Sequence, residues 1–296
     1  MKLSSERLTY RFFLLVSVLS LFLSAVSSEA TEVIIIGDTR LKPVVDIVAG
    51  IKEMFESPIT VYSPSDVRGK LKAIAQEEGA RAVIALGKDA IDDAVQLPTS
   101  IAVIFDLVIV PPRTTRQNTT GVFMGTPVAE YINLLNKYLP SLKRISVVGS
   151  QGLLNVLGAD QSGVSILRAR NSFELVDAVN KLNDADAILL LPDVSLLTDT
   201  ALEEIYLYSF RRKVPILGIS DRQVKQGALL ALTFNPEDVG RRLGGLAKGA
   251  IDGTDMGTIS PSPSGNFDLF INRNTAVKMG IAIPREMLDS AKRVYP

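Results

Sequence analysis

From Val33 onward the chain alternates short, wholly apolar runs with longer segments in which apolar residues recur every three or four positions. Runs such as VIIIG (33–37), AVIALG (82–87) and AILLLP (187–192) are too short for helices and apolar at successive positions. Strands of a parallel sheet covered on both faces have that character. The pattern predicts strands over 33–37, 59–62, 82–87 and 101–106, separated by helices over about 43–55, 66–78 and 89–95. The rhythm then repeats with a helix over 127–138, strands over 144–149 and 164–169, and a helix near 172–182. A strand over 187–192, a helix over 201–213 and a strand over 214–219 complete it. Alternation of this kind is the signature of βαβ units. It implies an α/β protein made of two halves, each a parallel sheet between helices.

Helix-end signals agree. Thr126 before Pro127 reads as a hydroxyl cap, Thr200 to Glu203 as a capping box, and Asn235 as a cap followed by Pro236, Glu237 and Asp238. Gly280, with Pro284 beyond, reads as a helix stop. The polar stretch PPRTTRQNTTG (111–121) reads as the join between halves. A strand over 228–234 precedes a helix over 236–251 that follows an already completed half, so it is expected to return to the first one. The expected lobes are therefore 31–120 plus about 235–258, and 121–234 plus about 266–296. An irregular crossing over 253–266 and a late strand over 267–272 fall between and within these pieces. Several crossings between similar lobes make a hinge with a cleft beside it.

In open α/β sheets ligands bind at the carboxyl ends of the strands. That rule selects Gly37, Asp38, Thr39, Gly87, Lys88, Phe105 and Asp106 in the first lobe. In the second it selects Ser150, Gln151, Asp193, Ser220 and Asp221, with Asn235 at a crossing. The runs ILLLPD and VPILGISD both end in an acid, Asp193 and Asp221. Such acids suit an ammonium group or another donor, glycines admit close approach of backbone N–H groups, and Phe105, Phe123 or Phe234 could stack on an apolar body. The competing reading is that each Asp merely caps a helix or turn.

Composition narrows the chemistry. The chain has no Cys and no His, which excludes Ser-His-Asp and Cys-His nucleophile systems and disulfides. Equal numbers of basic and acidic residues, 32 of each, leave no electrostatic footprint for nucleic acid. Gly87-Lys88-Asp89 resembles the end of a phosphate loop, but Ala82 and Asp89 stand where that loop needs Gly and Ser or Thr. Neighbouring acids such as Asp92-Asp93 splay apart on a helix. Arg113 and Arg116 read as solvated loop residues or as side chains reaching a cleft mouth, and Asn118-Thr-Thr matches a glycosylation sequon. Lys2, Arg7 and Arg11 precede an apolar run from Phe12 to Val26, and Ser28-Glu29-Ala30 fits a cleavage site. That run, about 15 residues, is short of the roughly 20 needed to span a bilayer. Residues 1–30 are thus expected to be a signal peptide, with no lipid anchor because no Cys follows it. The exported protein would be soluble, periplasmic or otherwise extracytoplasmic.

Four segments resemble the ABC-type substrate-binding proteins whose members take tryptophan, tyrosine and related small molecules. They are NTTGVFMGTPVAEYINLLNKYLPSLKRISVV (118–148), ADAILLLPD (185–193), KVPILGISDRQVKQGALLALTFNPEDVGRRLGGLAKGAIDG (213–253) and LFINRNTAVKMGIAIP (269–284). The resemblance implies a class I periplasmic-binding-protein-like fold: two Rossmann-like α/β lobes with parallel sheets, joined by a multi-crossover hinge and closing on one ligand. It implies a solute-binding protein, not an enzyme, that needs no cofactor and hands its ligand to the membrane permease of an ABC importer. A periplasmic sensing or scaffold module serving a sensor protein is the alternative. The chain departs from the family pattern at Asp38-Thr39, at Phe105 to Val108, and at Phe234-Asn235. Those departures leave an aromatic or other amino acid as one possible ligand among small carboxylates and amides.

Overall fold

The computed structural model describes residues 32–57 and 59–296. The expected signal peptide lies outside them. Among the described residues two sheets form, of six and seven strands. The first runs in the order β11-β5-β4-β3-β1-β2. Its members are β1 (Val33–Ile36), β2 (Thr60–Tyr62), β3 (Ala82–Leu86), β4 (Ala102–Asp106), β5 (Thr119–Phe123) and β11 (Ser262–Pro263). All its pairings are parallel. The second runs β13-β12-β10-β9-β8-β6-β7. It contains β6 (Ile145–Gly149), β7 (Val164–Arg168), β8 (Ala187–Leu190), β9 (Ile216–Gly218), β10 (Leu230–Phe234), β12 (Phe267–Asn272) and β13 (Arg293–Tyr295). It is parallel except where β10 meets β12. The central strands of both sheets are buried along their length, as apolar side chains on alternating faces require when helices cover both sides.

The chain passes between lobes three times. After β5 it enters the helix Val128–Tyr138, whose Tyr131 and Leu135 belong to the second lobe's core. After β10 it enters the helix Pro236–Ile251, which inserts Val239, Leu243 and Ala247 into the first lobe's core. After β11 it returns to β12. The expected crossing at residue 120 thus falls inside β5, and the first lobe reaches Pro263 by way of β11. Gly121 reads as a turn residue in sequence but serves as a strand glycine, because a side chain there would overlap the Phe105 carbonyl and ring. The buried Thr120 hydroxyl donates to Ile259 O at 2.7 Å, so the polarity of this strand is internally satisfied.

Several helix ends differ from expectation. Thr126 does not cap the Val128–Tyr138 helix: its hydroxyl donates to Leu232 O at 3.3 Å. The Asp199–Arg212 helix is capped by Thr198, which accepts from Ala201 N at 3.3 Å, and not by Thr200. The helix expected over 66–78 is split into Pro64–Val67 and Leu71–Glu77, with Gly69 left-handed between them. Asn235 caps the Pro236–Ile251 helix, accepting from Asp238 N at 3.1 Å, and left-handed Gly280 closes the helix Arg273–Met279.

The returning helix Pro236–Ile251 lies directly on Lys42–Lys52, and glycine makes the approach possible. A Cβ on Gly50 would overlap the Glu237 carbonyl, one on Gly240 the Ile47 carbonyl, and one on Gly244 would sit 2.8 Å from Met54 Cγ. At the opposite end of the first sheet, Arg116 is neither solvated nor at the cleft. Its guanidinium donates to the carbonyls of Pro98 (2.7 Å), Ile101 (2.5 Å), Gln117 (2.9 Å) and Asn118 (3.0 Å) and to Thr119 Oγ1 (2.8 Å). Asn118, the sequon residue, has both ends of its amide engaged, donating to Thr99 O and accepting from Met256 N.

Two outcomes follow for stability in urea. Gly240→Ala must force two helix backbones apart and is expected to destabilise by about 3 kcal/mol; a loss below about 1 kcal/mol would show that the helices do not touch as described. Arg116→Met strands several carbonyls and is expected to remove about 3 kcal/mol, whereas a solvated loop arginine would be neutral within about 0.5 kcal/mol.

Candidate functional site

The carboxyl ends of both sheets open on a cleft with two connected chambers. One, of about 860 Å³, is walled by Lys42, Asp46 and Glu237 from the first lobe and by Asp193, Ser220, Asp221, Phe270 and Lys292 from the second. The other, of about 890 Å³, lies against the first lobe and is lined by Asp38, Thr39, Gly87, Lys88 and Leu107. Met124 and Phe234, both at lobe crossings, line the two chambers together. Volumes of this order suit small organic ligands.

The strand-end residues fall into four groups. Asp193, Ser220, Asp221 and Asn235 meet in the first chamber, and Asp38, Thr39, Gly87 and Lys88 in the second. Ser150 and Gln151 border neither. Gln151 turns to Arg168 and Asn155, while Ser150 leads into the helix Gln151–Val156. Phe105 and Asp106 are sealed inside the first lobe, 2% and 0% exposed. Phe105 therefore packs in the core and offers no stacking surface. Phe123, likewise buried, belongs to the second lobe's core cluster.

Within the cleft, most charged groups already have partners. Arg40 grips Asp38 through Nε (2.8 Å) and Nη2 (2.7 Å), which holds that carboxyl at about 2. Lys88 pairs with Asp92 one turn along its helix. Burial alone would raise the Asp221 carboxyl, but hydrogen bonds from Lys225 (2.8 Å) and the Tyr295 phenol outweigh it and lower the pKa. Ser220 caps the next helix, accepting from Gln223 N. Asn235 Nδ2 faces the Asp268 carboxylate, which Lys292 also binds at 2.5 Å. Lys42 holds Asp46 at 2.7 Å, and Arg222 lies 3.9 Å from Asp199.

Asp193 is different. Burial pushes its pKa up, yet the hydroxyl and N–H of Ser195, both donating to Oδ1, together with the polar surroundings of Ser150 and the turn at Leu196, more than compensate, leaving it ionised. Ser195 Oγ lies 2.5 Å from Oδ1. Among the described residues no cation pairs with it. The first chamber thus presents a fixed negative charge without a counter-ion, beside apolar walls from Ile109, Met124, Leu232, Phe234 and Phe270. A cationic group on a partly apolar molecule is the complement of that surface. Among the described residues no cluster of His, Cys, Asp or Glu is arranged to hold a metal ion, and no helix is long and apolar enough to cross a membrane.

Strand-end reasoning missed Met124, Lys42, Asp46, Asp268 and Lys292. Only Asp268 carried a signal, as the polar position in the alternating run FDLFIN.

Known proteins place the whole in context. No curated protein matches the chain. Three solved structures share its architecture. A ligand-free, open substrate-binding protein with adhesive properties from Clostridium difficile is 15% identical with a TM-score of 0.66, over 89% of this chain and 99% of that one. A conserved domain protein from Vibrio cholerae is 20% identical with a TM-score of 0.57, over 89% and 99%. An ABC domain from Streptococcus pneumonia in complex with L-Trp is 18% identical with a TM-score of 0.54, over 88% and 99%. At these identities the likeness shows the fold, a two-lobe class I periplasmic-binding-protein architecture. Residues 88–295 match the family described as ABC transporter substrate binding protein, and over that span, most of its length, the chain belongs to this family.

Proposed function

We propose that this protein captures a small molecule bearing an ammonium or similar cationic group between its lobes and presents it to the membrane permease of an ABC importer. The observation that carries the reading is the ionised Asp193, fixed by the hydroxyl and N–H of Ser195, without a counter-ion among the described residues, in a chamber with apolar walls. Amino acids with apolar or aromatic side chains have the matching shape: the ammonium meets Asp193, and the side chain packs by Phe234 and Phe270. The L-Trp complex of the streptococcal relative supports this class of ligand. Capture needs no covalent step. A ligand that touches both lobes favours the arrangement in which both reach it, so binding shifts an open–closed equilibrium. The basic, apolar leader at residues 1–30 supports export to the compartment where such capture is useful.

A second reading is a sensing or scaffold module that partners a sensor protein. The self-paired ions of the first-lobe chamber favour it, because Asp38 and Lys88 have their charges already satisfied.

A thermal-shift screen of L-amino acids and small amines separates the two. Under the first reading at least one compound raises the melting temperature in proportion to the logarithm of its concentration. Asp193→Asn keeps the volume and removes the charge; it is expected to weaken that ligand about 10- to 100-fold, roughly 1.4–3 kcal/mol. A blank screen favours the scaffold reading, and a ligand bound equally well by Asp193→Asn overturns the assignment of its cationic group.

A further inference from the structure

Asp106 ends β4, the strand between β3 and β5, and among the described residues neither of its carboxyl oxygens has a hydrogen-bond partner. A buried polar group left unpaired is rare enough to need an explanation. Burial raises its pKa to about 7, and the nearby Leu107 N–H, not placed to hydrogen-bond either oxygen, opposes that rise only in part. No charged neighbour contributes. Strands β3 and β5 and the turn Met256–Thr258, which pack on β4, carry no ionisable side chain. The helices Lys42–Lys52 and Lys88–Ala94 share hydrophobic clusters with β4, and of their charged groups Lys42 pairs with Asp46 and Lys88 with Asp92, while Lys52, Asp89 and Asp93 make no hydrogen bond with Asp106. The helix Pro236–Ile251, which also packs on it, carries Glu237, Asp238, Arg241, Arg242 and Lys248. Asp238 and Arg241 bind each other, Arg241 also binds Glu53, Arg242 donates to Pro263 O, Lys248 lies over the Phe55 ring, and Glu237 faces the cleft.

The next residue is the second anomaly. Leu107 has φ of 58°, a left-handed backbone that a leucine adopts only under constraint. From there three residues reach from one lobe's core to the other's before the chain returns to β5. Leu107 packs on the first lobe's core, Val108 on both cores, and Ile109 on the second. Met124 N, at the first crossing, donates to Val108 O at 2.9 Å. Strain and an unpaired acid therefore sit together at the base of the hinge.

We propose that Asp106 and Leu107 form a proton-operated element of the hinge: the protonated carboxyl keeps the lobes as they stand here, and its ionisation drives residues 107–109 to rearrange until the carboxylate reaches water, changing the angle between the lobes. An ionised carboxylate without a donor is strongly disfavoured in an apolar interior, and Leu107 leaving its left-handed backbone is the nearest relief. The direction follows from linkage. The folded value lies above the ordinary 3.8, so this group's stabilisation is complete below about pH 4 and is lost as pH rises through about 7. The consequence for capture, a cleft whose grip changes around neutrality, rests on the function proposed above; the hinge movement itself does not.

The absence of cysteine allows a clean test, in which Lys72→Cys on the first lobe and Phe173→Cys on the second carry spin labels and no ligand is added. The expected result is a label separation that changes between pH 5 and 9 with a midpoint near neutrality, and that stays at its pH 5 value throughout in Asp106→Asn. The melting temperature of the parent should also fall between pH 5 and 8 relative to Asp106→Asn. Should the Asn variant fold poorly, Asp106→Leu serves as the neutral reference with the same expectation. A separation independent of pH in the parent, or an unchanged titration in the neutral variants, overturns the proposal. Since no ligand enters the measurement, its failure and a failure of capture are distinguishable.

Discussion

The architecture depends on two helix backbones being allowed to touch. When the chain leaves β10 it has already built most of the second lobe, yet its next helix packs on the first. Gly50, Gly240 and Gly244 remove the side chains that would hold the Pro236–Ile251 and Lys42–Lys52 helices apart. Close packing between glycine-bearing faces gains dispersion contact that bulkier residues would forfeit to overlap. Without that contact the helix would have no apolar groove of matching shape, and the second crossing would lose its anchor. The cleft is therefore a by-product of this return: the hinge exists because the chain comes back.

Two strand-end aspartates show how location decides chemistry. Asp193 and Asp106 both stand at or just beyond the carboxyl end of a parallel strand. Asp193 lies in a chamber open to water and has hydroxyls and N–H groups around it, so its charge is retained. Asp106 points into a sealed interior with no donor in hydrogen-bonding position among the described residues, so its proton is retained to near neutrality. The difference comes from what surrounds each carboxyl and not from the residue, and this is the usual origin of divergent acid behaviour within one fold. Among the remaining cleft acids, Asp38, Asp46, Asp221 and Asp268 are neutralised by nearby bases, which is why net charge along the sequence says little about the potential inside the cleft.

Much of this was legible before any coordinates. Strands that carry apolar side chains on both faces, such as VIII of β1 and AILL of β8, announce themselves, and the rule that ligands gather at strand ends located the cleft. What escaped were features fixed by distant partners. β5 reads as a polar turn because its Thr120 hydroxyl and its glycine make sense only beside Ile259 and Phe105. β11 and β13, at sheet edges, are two and three residues long and leave no periodic trace. Asp221 looks like a free strand-end acid until Tyr295, 74 residues later, is found against it. Arg116 looks solvated until the carbonyls of 98–101 close around it. In each case the local sequence supplied the group, and tertiary contact supplied its occupation.

The left-handed residues make the same point about strain. Asn118 and Leu107 both have positive φ, at opposite ends of the excursion between β4 and β5. Asn118 offsets its conformation with an amide that bonds Thr99 and Met256, two parts of the first lobe it thereby joins. Asparagine is also among the few residues for which this backbone is inexpensive. Leu107 has no polar side chain with which to do the same, so its conformation is held by packing alone, in a segment shared between two lobes. Packing shared between lobes changes when lobes move. A strained residue held in that way responds to hinge motion where Asn118 does not, and Asp106, whose two carboxyl oxygens both lack a partner among the described residues, is its immediate neighbour.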